Sequence, residues 1–123
     1  MQRVFWVLLG VPAVAFLFVG LSWYAAPSFG AANFDMELLE DRGLGTQIAD
    51  LGSFFITLGI CMLAGLWTGN RVWLYPAMLL MGIASCGRVI AWAAHGAALT
   101  YDMIAVEMIL VAIMLLAIQK TKA

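Results

Sequence analysis

The chain has 123 residues, of which 65% are hydrophobic and 11% are charged, and its mean hydropathy is +1.02. Soluble globular proteins are about 45–50% apolar and about a quarter charged, so this composition excludes an ordinary soluble domain and predicts an integral membrane protein. The formal net charge of −1 leaves no basic surface for nucleic acid, which excludes that class of partner.

Four apolar stretches are each long enough to cross a bilayer, which takes about 20 helical residues. We call them spans one to four, and they cover residues 4–26, 46–67, 72–94 and 101–119. Little of the chain lies outside them. The sequence therefore predicts one all-α domain over residues 1–123, an integral membrane up-down four-helix bundle.

The first span begins close to the N-terminus, as a signal peptide would. Its apolar run covers residues 4–21, which is longer than the roughly 7–15 residues typical of the apolar region of a signal peptide. We therefore expect a true membrane span and not a cleaved leader.

The segment between spans one and two, residues 27–45, contains helix signals. In "NFDMELLEDRG", Asn33 is a typical helix cap and Gly43 a typical stop, and Phe34 and Leu38 lie one turn apart. The pattern predicts a short interfacial helix across the mouth of the bundle. A solvated connector is the alternative.

Orientation is predicted by the positions of Lys and Arg, which are enriched in cytoplasmic loops. The N-terminus, the second loop and the C-terminal tail are basic, whereas the first loop is acidic. The pattern predicts a multi-pass membrane protein with both termini cytoplasmic and residues 27–45 outside. The basic residues are Arg3, Arg71, Lys120 and Lys122, and the acidic residues are Asp35, Glu37, Glu40 and Asp41.

Small residues recur at helical spacing in spans two and three. Gly52 and Gly59 lie seven residues apart on one face of span two, and Gly82 and Cys86 form a small-xxx-small pair in span three. Small residues let membrane helices approach closely. We expect both pairs to pack within the chain in preference to a dimer interface, and Cys61 to be a packing residue.

Ionisable residues within spans are costly and normally face a partner or a cavity. With a rise of about 1.5 Å per residue, Asp50, Arg88 and Glu107 reach one layer in the outer half of three different spans. We predict that they form the floor of an outward-opening polar cleft. Five residues are expected at its mouth: Arg42, Gln47, His95, Tyr101 and Asp102.

Two interpretations of this cluster remain open. It is either a buried ion-pair network that fixes how the helices dock, or a binding site or polar relay. A haem or metal role for His95 is not expected, because no second ligand is in sight. No cofactor and no metal are predicted.

The start of span two, "EDRGLGTQIADLGSFFITLG", the "GR…HG" end of span three and the acid in span four resemble uncharacterised bacterial four-helix membrane proteins. That domain-of-unknown-function family is distantly similar to DoxX-like proteins. The resemblance covers roughly residues 41–116. It implies an up-down four-helix bundle in the bacterial inner (cytoplasmic) membrane, with Arg42, Arg88, Gly96 and Glu107 as the family-like positions. DoxX-like relatives include subunits of quinone-reducing complexes and helpers of membrane-protein assembly, so the resemblance implies an accessory role.

Three classes of function follow. The favoured one is a non-enzymatic accessory subunit, or a protein whose cleft binds a lipid or quinone-like amphiphile. The second is an oligomeric transporter or channel, with Asp50 and Glu107 carrying protons or cations. The third is a membrane enzyme that uses His95 with Glu107 or Asp102. The first is favoured because the charges occupy one half of the membrane, whereas a conduit needs polar residues in both. The expected partners are the lipid bilayer and either a larger membrane complex or the bound amphiphile, and an oligomer is left open.

Overall fold

A computed structural model describes residues 2–121, and within these residues the regular structure is entirely helical. One continuous helix over Asp41–Thr68 is formed by α3, a π-helical segment and α4. The elements in chain order are α1 (Arg3–Ala25), α2 (Pro27–Ala32), α3 (Asp41–Thr46), the π-helical segment (Gln47–Leu51), α4 (Gly52–Thr68), a 3-10 turn (Arg71–Trp73), α5 (Leu74–His95) and α6 (Tyr101–Lys120).

The four predicted apolar helices are confirmed. Among the described residues, Arg3–Ala25, Asp41–Thr68, Arg71–His95 and Tyr101–Lys120 are long and apolar enough to cross a membrane. The second begins at Asp41, earlier than the predicted residue 46. The C-terminal ends of α4 and α5 are capped by Gly69 and Gly96. Their φ angles of 69° and 73° lie in the left-handed region, which favours glycine.

The helices α1 and α4 meet backbone to backbone. A Cβ atom added to Gly20 would lie 2.9 Å from the carbonyl oxygen of Gly52, and one added to Gly59 would lie 2.7 Å from that of Ala13. Only glycine permits such an approach. The predicted packing of Gly52 and Gly59 within the chain is therefore confirmed.

The small residues of α5 behave differently. A Cβ atom added to Gly82 would meet nothing within 4 Å, and Cys86 is exposed. The prediction that this pair packs within the chain is wrong. The buried face of α5 instead carries Leu74, Ala77, Met81 and Ser85, which follow one another at the three- and four-residue spacing of a helix face.

The four long helices close a ring. The helix α5 packs on α4 and on α6, and α6 also packs on α1. The core between them is apolar, and its completely buried side chains include Leu9, Leu58, Met62, Leu74 and Met114.

The predicted interfacial helix over residues 33–43 is wrong. Helix α2 lies earlier, because Pro27 occupies a first-turn position where its fixed φ favours a helix start. Residues 33–35 form a turn, and residues 36–40 have no regular structure. Asp35 and Asp41 have φ angles of 53° and 52°, and this left-handed backbone interrupts a right-handed helix on either side of residues 36–40.

Residues 33–40, which we call the 33–40 loop, are held in place by two side-chain contacts. The amide of Gln47 accepts a hydrogen bond from the Leu39 N–H at 2.8 Å and donates one to the Glu37 carbonyl oxygen at 3.0 Å. Phe34 stacks on Phe55 of α4 with ring centroids 5.2 Å apart. The buried Gln47 therefore replaces the backbone hydrogen bonds that a helix would have supplied.

Candidate functional site

An ion pair joins α5 to α6. Arg88 Nε donates a hydrogen bond to Glu107 Oε1 at 3.1 Å. The Arg88 side chain is 28% exposed and the Glu107 side chain 12% exposed, so the pair is partly buried between the two helices. The structure thus brings together two of the three residues predicted to form the floor of the cleft.

Two hydroxyl groups complete this contact. Ser85 Oγ donates to the same Glu107 oxygen at 3.0 Å, and Arg88 Nη1 donates to Thr100 Oγ1 at 3.3 Å. The sequence analysis missed Ser85 and Thr100. Ser85 could have been found from its three-residue spacing to Arg88, which puts both on one helix face. The sequence signal for Thr100 is weak, because it consists only of the position of this residue just before α6. We call these four residues the polar cluster.

Asp50 does not join the polar cluster, which corrects the predicted network. Its side chain is exposed, and among residues 2–121 its carboxylate forms no ion pair. The prediction assumed α-helical spacing, under which Asp50 and Gln47 share a face. Both lie in the π-helical segment, whose turns hold more residues, and there Gln47 is buried while Asp50 faces outward.

Two adjoining cavities lie between the polar cluster and α4, and together we call them the cleft. They have volumes of about 230 and 590 Å³. Both are lined by Phe34, Phe54, Phe55, Arg88 and Met103. The smaller cavity also touches Phe16, Leu58, Met81, Asp102, Val106 and Glu107, and the larger one Asp35, Met36, Leu51, Ala84, Gly87, Ala91, Ala98 and Thr100.

The walls of the cleft are mainly aromatic. Phe55 is central, with ring centroids 5.9 Å from Phe16, 5.2 Å from Phe34 and 5.0 Å from Phe54. Few polar groups face this apolar surface, as is usual where small molecules bind. Cavities thus lie beside Arg88 and Glu107, but their walls are mainly apolar, whereas the sequence predicts a polar cleft.

The residues predicted at the mouth separate into three groups. Asp102 lines the smaller cavity. Gln47 is buried and bonded to the 33–40 loop, so its role is to hold that loop. Arg42, His95 and Tyr101 are exposed and line neither cavity.

Arg88 has hydrogen-bonding capacity left over. A guanidinium has five N–H donors, and in the described part of the chain those that bond are on Nε, to Glu107, and on Nη1, to Thr100. Because Arg88 lines both cavities, its remaining donors are available to an acceptor atom in the cleft. The arrangement can orient a polar group at the edge of an apolar space.

The acid–base pairs considered for an enzyme are not assembled. Within residues 2–121, His95 makes no side-chain hydrogen bond to Glu107 or Asp102, and Glu107 is already bonded to Ser85 and Arg88. This geometry supplies no base positioned against a nucleophile.

No protein-family model, curated protein or solved structure matches this chain. The resemblance to four-helix, distantly DoxX-like proteins stays a prediction.

Proposed function

We propose that this chain is a non-enzymatic integral membrane protein that binds a small amphiphile in the cleft. The observation that supports it is the position of Arg88, which lines both cavities and has unused donors beside aromatic walls. An amphiphile fits because its apolar part would contact the phenylalanines while its polar part meets the charged side chains at the edge of the cleft, among them Arg88 and Asp102. The larger volume, about 590 Å³, lies within the range of about 300–1,000 Å³ usual for ligand pockets.

Insertion of the four long helices into a membrane is part of the proposal. It is supported by apolar side chains on the outside of the bundle, such as Val11 at 66% exposed and Ile83 at 67%. Exposed apolar area costs roughly 25 cal/mol per Å² in water but not in lipid, so these side chains fit a bundle surrounded by acyl chains.

The proposed orientation is an up-down bundle in the bacterial inner membrane, with both termini in the cytoplasm. We call the end where the 33–40 loop and residues 96–100 meet the loop end. It is proposed to face outward, because acidic residues gather there while Arg3, Arg71 and Lys120 lie at the ends of helices away from it. Lys122, which belongs to the same predicted basic group, lies outside the described residues.

Binding is favoured over conduction because the polar cluster lies at one end only. The core near the other end of the ring contains Leu9, Leu66, Leu74 and Met114, all buried and apolar. A pathway for protons or cations through one copy of the chain would need polar groups there. Binding is favoured over a purely structural ion pair because docking two helices requires no adjoining cavity.

The test uses a variant that fills the cleft without removing any of its contacts. Gly87 lines the larger cavity, and a Cβ atom there would meet nothing within 4 Å, so the side chain of Gly87→Leu can start into the cleft without a clash at its Cβ. Gly82→Leu is the matched control, because Gly82 lies on the same helix, is equally open and lines neither cavity.

Wild type and both variants would be extracted gently from their own membrane and weighed by native mass spectrometry. We expect a bound amphiphile on the wild type and on Gly82→Leu, and about tenfold less of it on Gly87→Leu. A wild type without ligand, or equal occupancy of both variants, contradicts the proposal. A stoichiometric partner protein in place of the amphiphile would make the chain an accessory subunit instead.

A further inference from the structure

The charges lining the cleft do not balance. Three carboxylates and one guanidinium line it, and Arg88 is paired with one of the three, Glu107, at 3.1 Å. Among residues 2–121, Asp35 and Asp102 form no ion pair. One of these two carboxylates lines each cavity, so an occupant of either cavity meets an uncompensated negative charge.

The aromatic walls of the cleft also favour a positively charged occupant. The faces of phenyl rings attract cations, and organic cations are recognised by cages of several rings. Phe16, Phe34 and Phe54 surround Phe55 within 5.9 Å between ring centroids, beside the smaller cavity that Asp102 lines. A cation there would have phenyl rings and the Asp102 carboxylate among the residues that line its cavity.

The electrostatic field around the cleft is also negative. All seven acidic residues of the chain lie at the loop end or in the half of the long helices next to it. Of the five described Lys and Arg residues, Arg42 and Arg88 lie there. A surface with one sign of charge raises the local concentration of ions of the opposite sign. An anion would approach against this field, and it would find only the unused donors of Arg88 in its favour.

We propose that the amphiphile bound by the cleft is a lipophilic cation, an organic ammonium or phosphonium group that carries aromatic or alkyl substituents. Its charged centre lies between Asp102 and the phenyl rings, and its apolar substituents fill the larger cavity. This inference rests on the proposed function, since it names the ligand class of the same site.

The test uses three probes of similar shape and different charge: tetraphenylphosphonium, triphenylphosphine and tetraphenylborate. The full chain would be reconstituted in phosphatidylcholine nanodiscs, and binding would be measured by equilibrium dialysis with empty nanodiscs subtracted. Asp102→Asn removes the charge at the cleft, and Asp102→Glu retains it. Asp50→Asn is the matched control, because Asp50 is also acidic and exposed but lines neither cavity.

We expect the phosphonium to bind more tightly than the other two probes. Asp102→Asn should weaken its binding by about fivefold to tenfold, or about 1–1.4 kcal/mol, and leave the neutral phosphine unchanged. Asp102→Glu, which keeps the charge, should bind the phosphonium more tightly than Asp102→Asn does, and Asp50→Asn should bind it as the wild type does.

The failure of this inference is distinguishable from failure of the proposed function. If the phosphine or the borate binds as tightly as the phosphonium, and Gly87→Leu blocks that binding, the cleft is a binding site but its preference for cations is overturned. If no probe shows binding that Gly87→Leu reduces, both proposals are overturned.

Discussion

The Oε1 atom of Glu107 receives two hydrogen bonds from one face of α5, from Ser85 at 3.0 Å and from Arg88 at 3.1 Å. Charge-assisted hydrogen bonds of this kind are stronger than neutral ones. Removing Arg88 would leave a carboxylate that is only 12% exposed with a single hydroxyl donor. Replacing Glu107 by Gln would remove the charge but keep a side-chain oxygen that can accept hydrogen bonds from Ser85 and Arg88.

Arg88→Ala should therefore destabilise the bundle more than Glu107→Gln. We expect losses of about 1–3 kcal/mol for the first and roughly 1 kcal/mol or less for the second, measured by unfolding in sodium dodecyl sulfate. Arg42→Ala is the control, because Arg42 is exposed and forms no ion pair among the described residues. Equal losses for Arg88→Ala and Arg42→Ala would mean that the ion pair contributes nothing to stability.

The side chain of Gln47 replaces backbone hydrogen bonds that the 33–40 loop lacks. Gln47→Ala should free the 33–40 loop, because the Leu39 N–H and the Glu37 carbonyl oxygen lose their partner. We expect the Leu39 amide to exchange its hydrogen roughly tenfold faster or more.

Thr46→Val is the control for this measurement, since within residues 2–121 the Thr46 hydroxyl bonds only to the Arg42 carbonyl of its own helix. Unchanged exchange at Leu39 in Gln47→Ala would show that the stacking of Phe34 on Phe55 is enough to hold the loop.

At the level of the helices, glycine has different surroundings on α4 and α5. Gly59 lies against the backbone of α1, whereas Gly82 faces open space. The two are indistinguishable in the sequence, because each lies in an apolar run with other small residues at helical spacing. Only the packing of the neighbouring helix separates them.

Gly59→Ala should destabilise the bundle by about 1–3 kcal/mol, because the new Cβ would lie 2.6 Å from Leu17 Cγ and 2.7 Å from the Ala13 carbonyl oxygen. Gly82→Ala should be neutral or stabilising by up to about 1 kcal/mol, through its higher helix propensity. Unfolding in sodium dodecyl sulfate compares the two. If Gly82→Ala is the more damaging substitution, the face of α5 that carries Gly82 is covered in the folded protein.

The helices were predictable because long apolar runs leave little freedom in where a helix lies. Residues 101–119 were predicted for the fourth span, and α6 covers Tyr101–Lys120. The contact between Arg88 and Glu107 was predictable from their depth along two helices.

The remaining features depend on local backbone conformation that residue types do not specify. The left-handed backbone at Asp35 and Asp41 breaks a segment whose composition favours a helix. The wide turn over Gln47–Leu51 moves Asp50 off the face that regular spacing predicts. No residue in "QIADL" marks that turn.

For the whole molecule, the separation of charge between the two ends is the basis of the proposed orientation. In a background that lacks Cys61 and Cys86, single cysteines report on each end through a membrane-impermeant maleimide. Glu37→Cys, in the 33–40 loop, should react in intact cells. Asn70→Cys, between α4 and the 3-10 turn, should react only after the membrane is permeabilised, and the opposite pattern would reverse the orientation.

Membrane insertion needs its own control in that experiment. Leu79 is 62% exposed in the bundle, so a cysteine there would react readily if water surrounded α5. Leu79→Cys should stay unlabelled with and without permeabilisation, because acyl chains cover it. Labelling of Leu79→Cys in intact membranes would mean that this face lines water or that the helix does not span the bilayer.

The wide turn at Gln47–Leu51 has a consequence for how this chain tolerates changes in length. A π-helical turn holds one residue more than an α-helical turn, so deleting one residue there would restore regular spacing and leave the residues on either side in their present phase. Deleting one residue elsewhere in Asp41–Thr68 would instead rotate one part of this helix by about 100° and shift it by about 1.5 Å relative to the other part. Either Gln47 would then miss the 33–40 loop or the glycines of α4 would miss α1. We therefore expect a one-residue deletion to be tolerated best within the wide turn itself, provided that Gln47 is kept.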